Sequence, residues 1–333
     1  MLNKKIWDQL EKSGNSLNGL TVLRLNPESR FNIFAAMDPV TKHRFLLLKS
    51  NKADVHPQQQ LPLGRGFNFR FIITSTDPDG INCLQFELTD MLHVDVFDVI
   101  GNDVLKYILQ SSDDKAAFAI FVLRIVEWQR FLDQLPKEGL SETAQQGLFG
   151  ELWFLRESLL CEITPHQAVS SWAGPKALAK DFQFPGIAFE VKTTSSKQHS
   201  CFTISNEQQL DARGGRLILF CLLLEHLAAG GTSLPELVSS IRANLQSYPD
   251  AAIRFSELLL QSGYVDMDAP KYITHFAIRS QHFFEVRDDF PRIVETDLRR
   301  GVGDVHYSIL FSECDHYALN ETDVRKMIRT ILV

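Results

Sequence analysis

The sequence predicts a mixed α/β protein, α+β in layout, in which a β-rich N-terminal domain precedes a mixed central sheet flanked by helices. Three observations carry this. Short β-rich runs broken by turn chemistry fill residues 20–99. A pattern of helical period takes over from Val99. From Leu140 onward the signals run helix, strand, strand, strand, helix, strand, the order of a sheet with helices packed on it.

The opening MLNKKIWDQLEKSG reads as a short amphipathic helix and lacks the apolar run of a signal peptide. Leu23–Leu25, Asn32–Ala36, Arg44–Leu48, Phe67–Thr74 and Cys83–Leu88 read as strands, with a turn at Asp77-Pro78-Asp79-Gly80. From Val99 to Leu135, Phe118, Phe121, Val122, Ile125, Val126 and Trp128 crowd one side of a helix. Pro136-Lys137-Glu138-Gly139 breaks the chain. The expected division is therefore a β-rich domain over 1–110, a helical connector over 111–139 and an α/β domain over 140–333 with its core at 140–225. Within the last, a helix spans Glu142 to Leu160, with Leu148, Leu152, Leu155 and Leu159 as its buried stripe. Glu151 sits on the rim of that stripe and Glu157 points away; a carboxylate at an apolar rim needs a partner. A strand is expected near Phe202–Ser205. Ser205 and Gln208 have capping-box spacing, opening a short helix through Gln209 and Leu210. A long apolar strand follows at Leu217–Leu224, then helical pattern from Ser233 to Ser262 and strands at Thr274–Ser280, Phe283–Val286 and His306–Phe311.

The most informative stretch is KDFQFPGIAFEVKTT, Lys180 to Thr194. Pro185-Gly186 reads as a tight turn between two short strands, best matched by a type II turn. A two-residue loop sets Phe184 opposite Ile187, Phe182 opposite Phe189 and Asp181 opposite Glu190. Alternation then gives one apolar face of Phe182, Phe184, Ile187, Phe189 and Val191. Asp181, Gln183, Glu190 and Lys192 share the other. Two carboxylates about 4.5–5.5 Å apart at Cβ destabilise a sheet, and a divalent cation between them reverses that interaction. An ammonium two residues beyond Glu190 completes a site able to act on a phosphodiester.

The totals narrow the classes. The 333 residues suffice for two or three domains. A net charge of -7 and a pI near 5.8 exclude a bulk nucleic-acid coat but leave room for a local basic groove. Five cysteines, odd in number and without CxxC spacing, indicate neither a disulfide framework nor a zinc knuckle, and suit a reducing cytoplasm. The longest strongly apolar run, Leu217 to Leu224, is far short of the ~20 residues a bilayer requires. The expectation is a cytoplasmic protein without a membrane partner.

With those residues in place, the segment resembles the catalytic core of the PD-(D/E)XK nuclease superfamily, which has a restriction-endonuclease-like fold. Its pattern of a helix Glu, a strand Asp and a strand (D/E)-x-K is matched by Glu151, Asp181 and Glu190-Val191-Lys192. More narrowly, GLFGELWFLRESLL with FEVKTT and SNEQQL resembles a bacterial PD-(D/E)XK family often encoded beside restriction or phage-defence genes. The match covers about Leu140 to Leu224. Lys180, not Pro, precedes Asp181, a position that varies in the superfamily.

The resemblance implies Mg²⁺-dependent hydrolysis of DNA by an endonuclease, with Mn²⁺ as a substitute ion and other subunits of a restriction or defence system as further partners. It leaves the oligomeric state open, a dimer included. Asp181, Glu190 and the Val191 carbonyl would hold the metal, with Glu151 binding directly or through water. Lys192 would orient or deprotonate the attacking water, and Gln209, or less readily Gln208, would help to position it. Thr193 and Thr194 are phosphate contacts or plain strand formers. Lys176, Lys180, Lys197, Arg213 and Arg216 are a phosphate-tracking groove or a solvated face. An ExK triplet alone is a weak signal, since exposed strands often alternate charges; the set is stronger than its members. His93-Val94-Asp95 and Asp315-His316 lack a convergent third ligand, and Arg300-Gly301-Val302-Gly303 reads as a turn. The rival reading is a catalytically inactive scaffold or binding subunit that keeps the fold. RNA-directed cleavage is a weaker alternative.

Overall fold

The computed structural model describes the chain except for residues 14–15, 18, 51–62, 65, 75–80, 137, 177–179, 196–200, 229, 288 and 332–333. The Asp77–Gly80 turn and Lys197 lie outside the described residues. The chain forms two compact units, Met1–Lys137 with Val265–Met267, and Glu138–Tyr264 with Asp268–Val333.

The first unit opens with helix α1 (Lys4–Lys12), N-capped by Asn3, whose side chain accepts from the Ile6 amide. Strands β1 (Ser16–Leu17), β2 (Leu20–Leu25), β3 (Asn32–Met37), β4 (Arg44–Ser50), β5 (Leu63–Gly64), β6 (Phe67–Thr74) and β7 (Ile81–Leu88) follow. They form an antiparallel sheet in the order β1-β2-β3-β4-β7-β6-β5. Helices α2 (Val94–Leu109) and α3 (Asp114–Gln134) pack together in this unit. Residues 111–134, expected as a connector, thus lie within the first unit. The single helical run expected from Val99 starts earlier and breaks once. Ser111, Ser112 and Asp113 compete for backbone hydrogen bonds, and the Asp113 carboxylate caps α3 through the Ala116 amide. Asn102 clasps the N-terminus by bonding both the amide and the carbonyl of Leu2, at 2.7 and 2.9 Å.

The second unit holds α4 (Glu142–Phe154), which passes into a π-helical turn at Leu155–Leu159, and α5 (Pro165–Ser171). Next come β8 (Phe182–Phe184), β9 (Ile187–Thr194), β10 (Cys201–Ile204), β11 (Arg216–Leu227), β12 (Thr232–Ser233), α6 (Leu234–Leu245) and α7 (Pro249–Gln261). β13 (His275–Glu285), β14 (Tyr307–Leu310), β15 (Ala318–Leu319) and α8 (Glu321–Thr330) complete it. The central sheet runs β12-β13-β11-β9-β8, with β15 alongside β13. β9 and β11 are parallel and the other pairs antiparallel, so the sheet is mixed.

β11 explains its own sequence. Ile218, Phe220, Leu222 and Leu224 enter the main core with α4 and α6, while Leu217, Leu219 and Cys221 enter a second core on the opposite face. A strand buried on both faces needs a continuous apolar run. That second core also decides the place of β10. Phe202 and Ile204 bury there with Ile309, so β10 pairs with β14 in a separate two-stranded sheet.

Two sequence expectations are corrected here. Thr274–Ser280 and Phe283–Val286 are one strand, β13. A bulge puts Leu223 opposite Ser280 but Leu224 opposite Ile278, leaving Arg279 as the extra residue, a local irregularity that strand pairing absorbs. The short helix expected after Ser205 is a turn. Asn206, not Ser205, caps it, its side-chain oxygen accepting from the Gln208 and Gln209 amides at 2.9 and 3.2 Å.

Candidate active site

The hairpin β8–β9 takes the register its alternation dictates: Phe182 pairs with Phe189, Gln183 with Ala188 and Phe184 with Ile187. Gly186 has φ 76°, the left-handed position that a type II turn requires after proline. Phe182, Ile187, Phe189 and Val191 fill the main core, with Phe184 packed at its edge. The same alternation delivers Glu190 and Lys192 to the other face. Asp181 lies one residue before the paired strand, and its carboxylate accepts from the Val191 amide at 2.7 Å. In an extended strand the N–H and C=O of one residue face the same side, so the Val191 carbonyl also turns toward the Asp181 edge.

Helix α4 approaches β9 through Gly150; a Cβ there would overlap the Thr193 methyl group. The adjacent residue is Glu151, whose Oε2 accepts from Trp172 Nε1 at 2.7 Å. Gly174 brings the carboxylates into one frame. A Cβ on it would stand 2.5 Å from Glu151 Oε2 and 3.2 Å from Asp181 Oδ1. Lys192 Nζ donates to Glu190 Oε1 at 2.7 Å. The structure thus gathers Glu151, Asp181, Glu190 and Lys192 from one helix and one hairpin.

Their electrostatics are those of a crowded, dehydrated acidic site. Glu190 is fully buried, and burial with the neighbouring Asp181 charge pushes its carboxyl up to about 8, against the pull of Lys192. Burial, and then the Asp181 charge, raise Glu151 well above the usual carboxylate range despite the Trp172 bond. Burial raises Asp181 too, opposed by Lys192 and the Val191 amide. For Lys192, burial works against the ammonium, but Glu190 and Asp181 outweigh it and hold the amine above its usual range.

The other expected residues divide. Gln209 turns its side chain back to accept from the Ser205 amide at 3.0 Å. What its turn offers the site is backbone: Lys180 Nζ donates to the carbonyls of Gln208 and Gln209, the latter at 2.6 Å. Burial lowers the Lys180 amine to about 8, although Glu190, Asp211 and Asp181 support its charge. Thr193 Oγ1 is engaged by Gln146, which also meets His226 Nε2 at 3.0 Å. Arg213 is paired with Asp211 and Glu295, and Arg216 with Glu285. Those two arginines therefore face carboxylates already. Trp172 and Gly174 were missed in the sequence because they lie outside the motif, and Gly150 and Gln146 because their contacts with Thr193 join α4 to β9, segments more than forty residues apart.

The donors suit a hard divalent cation. They are carboxylate oxygens, Glu190 fully buried and Glu151 and Asp181 half-buried, whose charges burial disfavours; a cation supplies the compensation. Among the described residues, no three His, Cys, Asp or Glu side chains stand together as a complete cage. The donor set is thus Asp181 and Glu190, with the Val191 carbonyl beside them.

A helix carboxylate, a hairpin Asp and an E-x-K strand on a mixed sheet define a PD-(D/E)XK-type, nuclease-like fold. A family model described as "Putative PD-(D/E)XK family member" (DUF4420) matches residues 3–312. The chain belongs to that family. Searches of curated proteins and of solved structures find no match. Among the described residues, no helix is long and apolar enough to cross a membrane.

Proposed function

We propose that this protein is a divalent-metal-dependent nuclease that cleaves DNA, working in a restriction or phage-defence system. The observation that carries the reading is Lys192 Nζ, 2.7 Å from the buried Glu190 carboxylate, on the face that also presents Asp181. A half-buried lysine held against a fully buried carboxylate is a costly arrangement for a fold to keep without chemistry.

Asp181, Glu190 and the Val191 carbonyl would hold Mg²⁺, or Mn²⁺ in its place, and Glu151 would join directly or through water. Such an ion polarises a phosphate and lowers the pKa of bound water. Lys192 supplies the rest. Its ammonium neutralises charge developing on the phosphate oxygens, and its hydrogen bonds orient the attacking water. Glu190 fixes the amine in place for that role. The N-terminal unit serves recognition of DNA or of a partner subunit.

A second reading, a scaffold that keeps the fold without the chemistry, is favoured by the incomplete carboxylate cage and by the ion-paired Arg213 and Arg216. Calorimetric titration of Mn²⁺ into wild type and Asp181→Ala separates the two. The nuclease reading expects binding that Asp181→Ala abolishes. A wild type that takes up no cation supports the scaffold.

A further inference from the structure

We propose that the segment Trp172–Gly174 is a positioning element for the Glu151 carboxylate, with Trp172 as its hydrogen-bond donor and Gly174 as its spacer. The inference deepens the metal-site reading and, in its cation arm, rests on it.

One short stretch of chain touches both acidic elements. Trp172 Nε1 donates to Glu151 Oε2 at 2.7 Å. The amides of Ala173 and Gly174 donate to the Asp181 carbonyl at 2.7 and 3.1 Å. Trp172 also forms an isolated antiparallel bridge with Phe182. The indole is fully buried and lies 6.0 Å from the Phe255 ring, so its N–H has a fixed direction. An indole N–H is a donor only. It therefore occupies Glu151 Oε2 and leaves the other oxygen for a cation or the water bound to it. A group that orients a ligand from outside is the usual second layer of a metal site, and its loss typically costs about 10–100-fold in affinity.

Gly174 is the complement to that clamp. The space where a Cβ would sit is bounded by Glu151 Oε2 and Asp181 Oδ1. Gly174 has no positive φ, so alanine there meets no backbone strain. Its cost falls on the carboxylates, which must move apart from the added methyl group. The bland account, that Trp172 is core packing and Gly174 a loop residue, makes a different forecast. Phenylalanine at 172 keeps the ring in the core and removes only the N–H.

The test uses the full chain labelled with ¹⁵N at its four tryptophans. The Trp172 indole signal is assigned by its loss in Trp172→Phe. Glu151→Ala is expected to move that signal while those of Trp7 and Trp128 stay in place. Calorimetric titration with Mn²⁺ is then expected to show Trp172→Phe and Gly174→Ala binding about 10–100-fold more weakly than wild type, with unchanged far-UV circular dichroism. A Trp172 signal that ignores Glu151→Ala overturns the proposal. So does wild-type Mn²⁺ affinity in Trp172→Phe. A wild type that binds no cation overturns the metal reading of the site instead, and the response to Glu151→Ala still decides whether the clamp exists.

Discussion

The Asp181 carboxylate accepts a hydrogen bond from the backbone amide of Val191 at 2.7 Å, joining the residue before β8 to the middle of β9 beyond the last paired residues. This bond does what ladder pairing would have done had β8 been longer. It also aims Asp181 at the edge where Glu190 and Lys192 emerge. The site is therefore built where the hairpin stops being a hairpin.

The crowding of carboxylates has a consequence for stability. Glu190 is held up to about 8 by burial and Asp181, against an ordinary value of 4.5. A raised carboxyl stabilises the folded state below the unfolded pKa, and that contribution is lost as pH rises from about 4.5 through about 8. Metal-free protein is therefore expected to lose stability across this window. Asp181→Asn keeps an oxygen for the Val191 amide and removes one charge. It is expected to melt higher than wild type at pH 8 in EDTA, by about 2–4 °C for each kcal/mol relieved, and to lose that advantage near pH 4. Equal midpoints at pH 8 would speak against mutual repulsion in the site.

Lys180 offers a second test. Its ammonium bonds the carbonyls of Gln208 and Gln209. Lys180→Met retains the aliphatic stem and leaves both acceptors without their charged donor. The expected loss is about 1.5–3 kcal/mol, read from urea unfolding. A variant within 0.5 kcal/mol of wild type, an estimate of ordinary surface tolerance, would mean the turn stands without the lysine.

Two glycines of α4 make an internal control. A Cβ on Gly147 meets nothing within 4 Å, whereas one on Gly150 overlaps Thr193. Gly147→Ala is expected to stabilise by about 0.5–1 kcal/mol through helix propensity. Gly150→Ala, with the same propensity gain, is expected to destabilise by about 1–3 kcal/mol through overpacking. Denaturant midpoints moving in the same direction would contradict the close approach of α4 to β9.

The hairpin was legible in the sequence because its signals are local. Pro185-Gly186 fixes the turn, and alternating phenylalanines fix the face, so the register of Phe182 and Phe189 follows without tertiary knowledge. Glu151 was legible from its place on the rim of a leucine stripe. What escaped is non-local. β10 joins β14 across a hundred residues because Phe202 and Ile309 share a core that neither strand announces. The polar pair Gln281-His282 reads in the sequence as a gap between two strands, whereas β13 runs through it, opposite Leu222 and Cys221. Gln209 has the residue type for the site, but its side chain has a nearer partner in the Ser205 amide. Trp172 and Gly174 carry no motif, and their role exists only once the loop has been laid beside Glu151.

The most direct test of the central claim is cleavage of supercoiled plasmid by wild type and by Lys192→Ala, with Mg²⁺ or Mn²⁺ and with EDTA. Wild type is expected to nick or linearise the plasmid only with the metal, and Lys192→Ala is expected to leave it supercoiled. Cleavage that persists in Lys192→Ala would contradict the assignment of the site, whatever its dependence on metal.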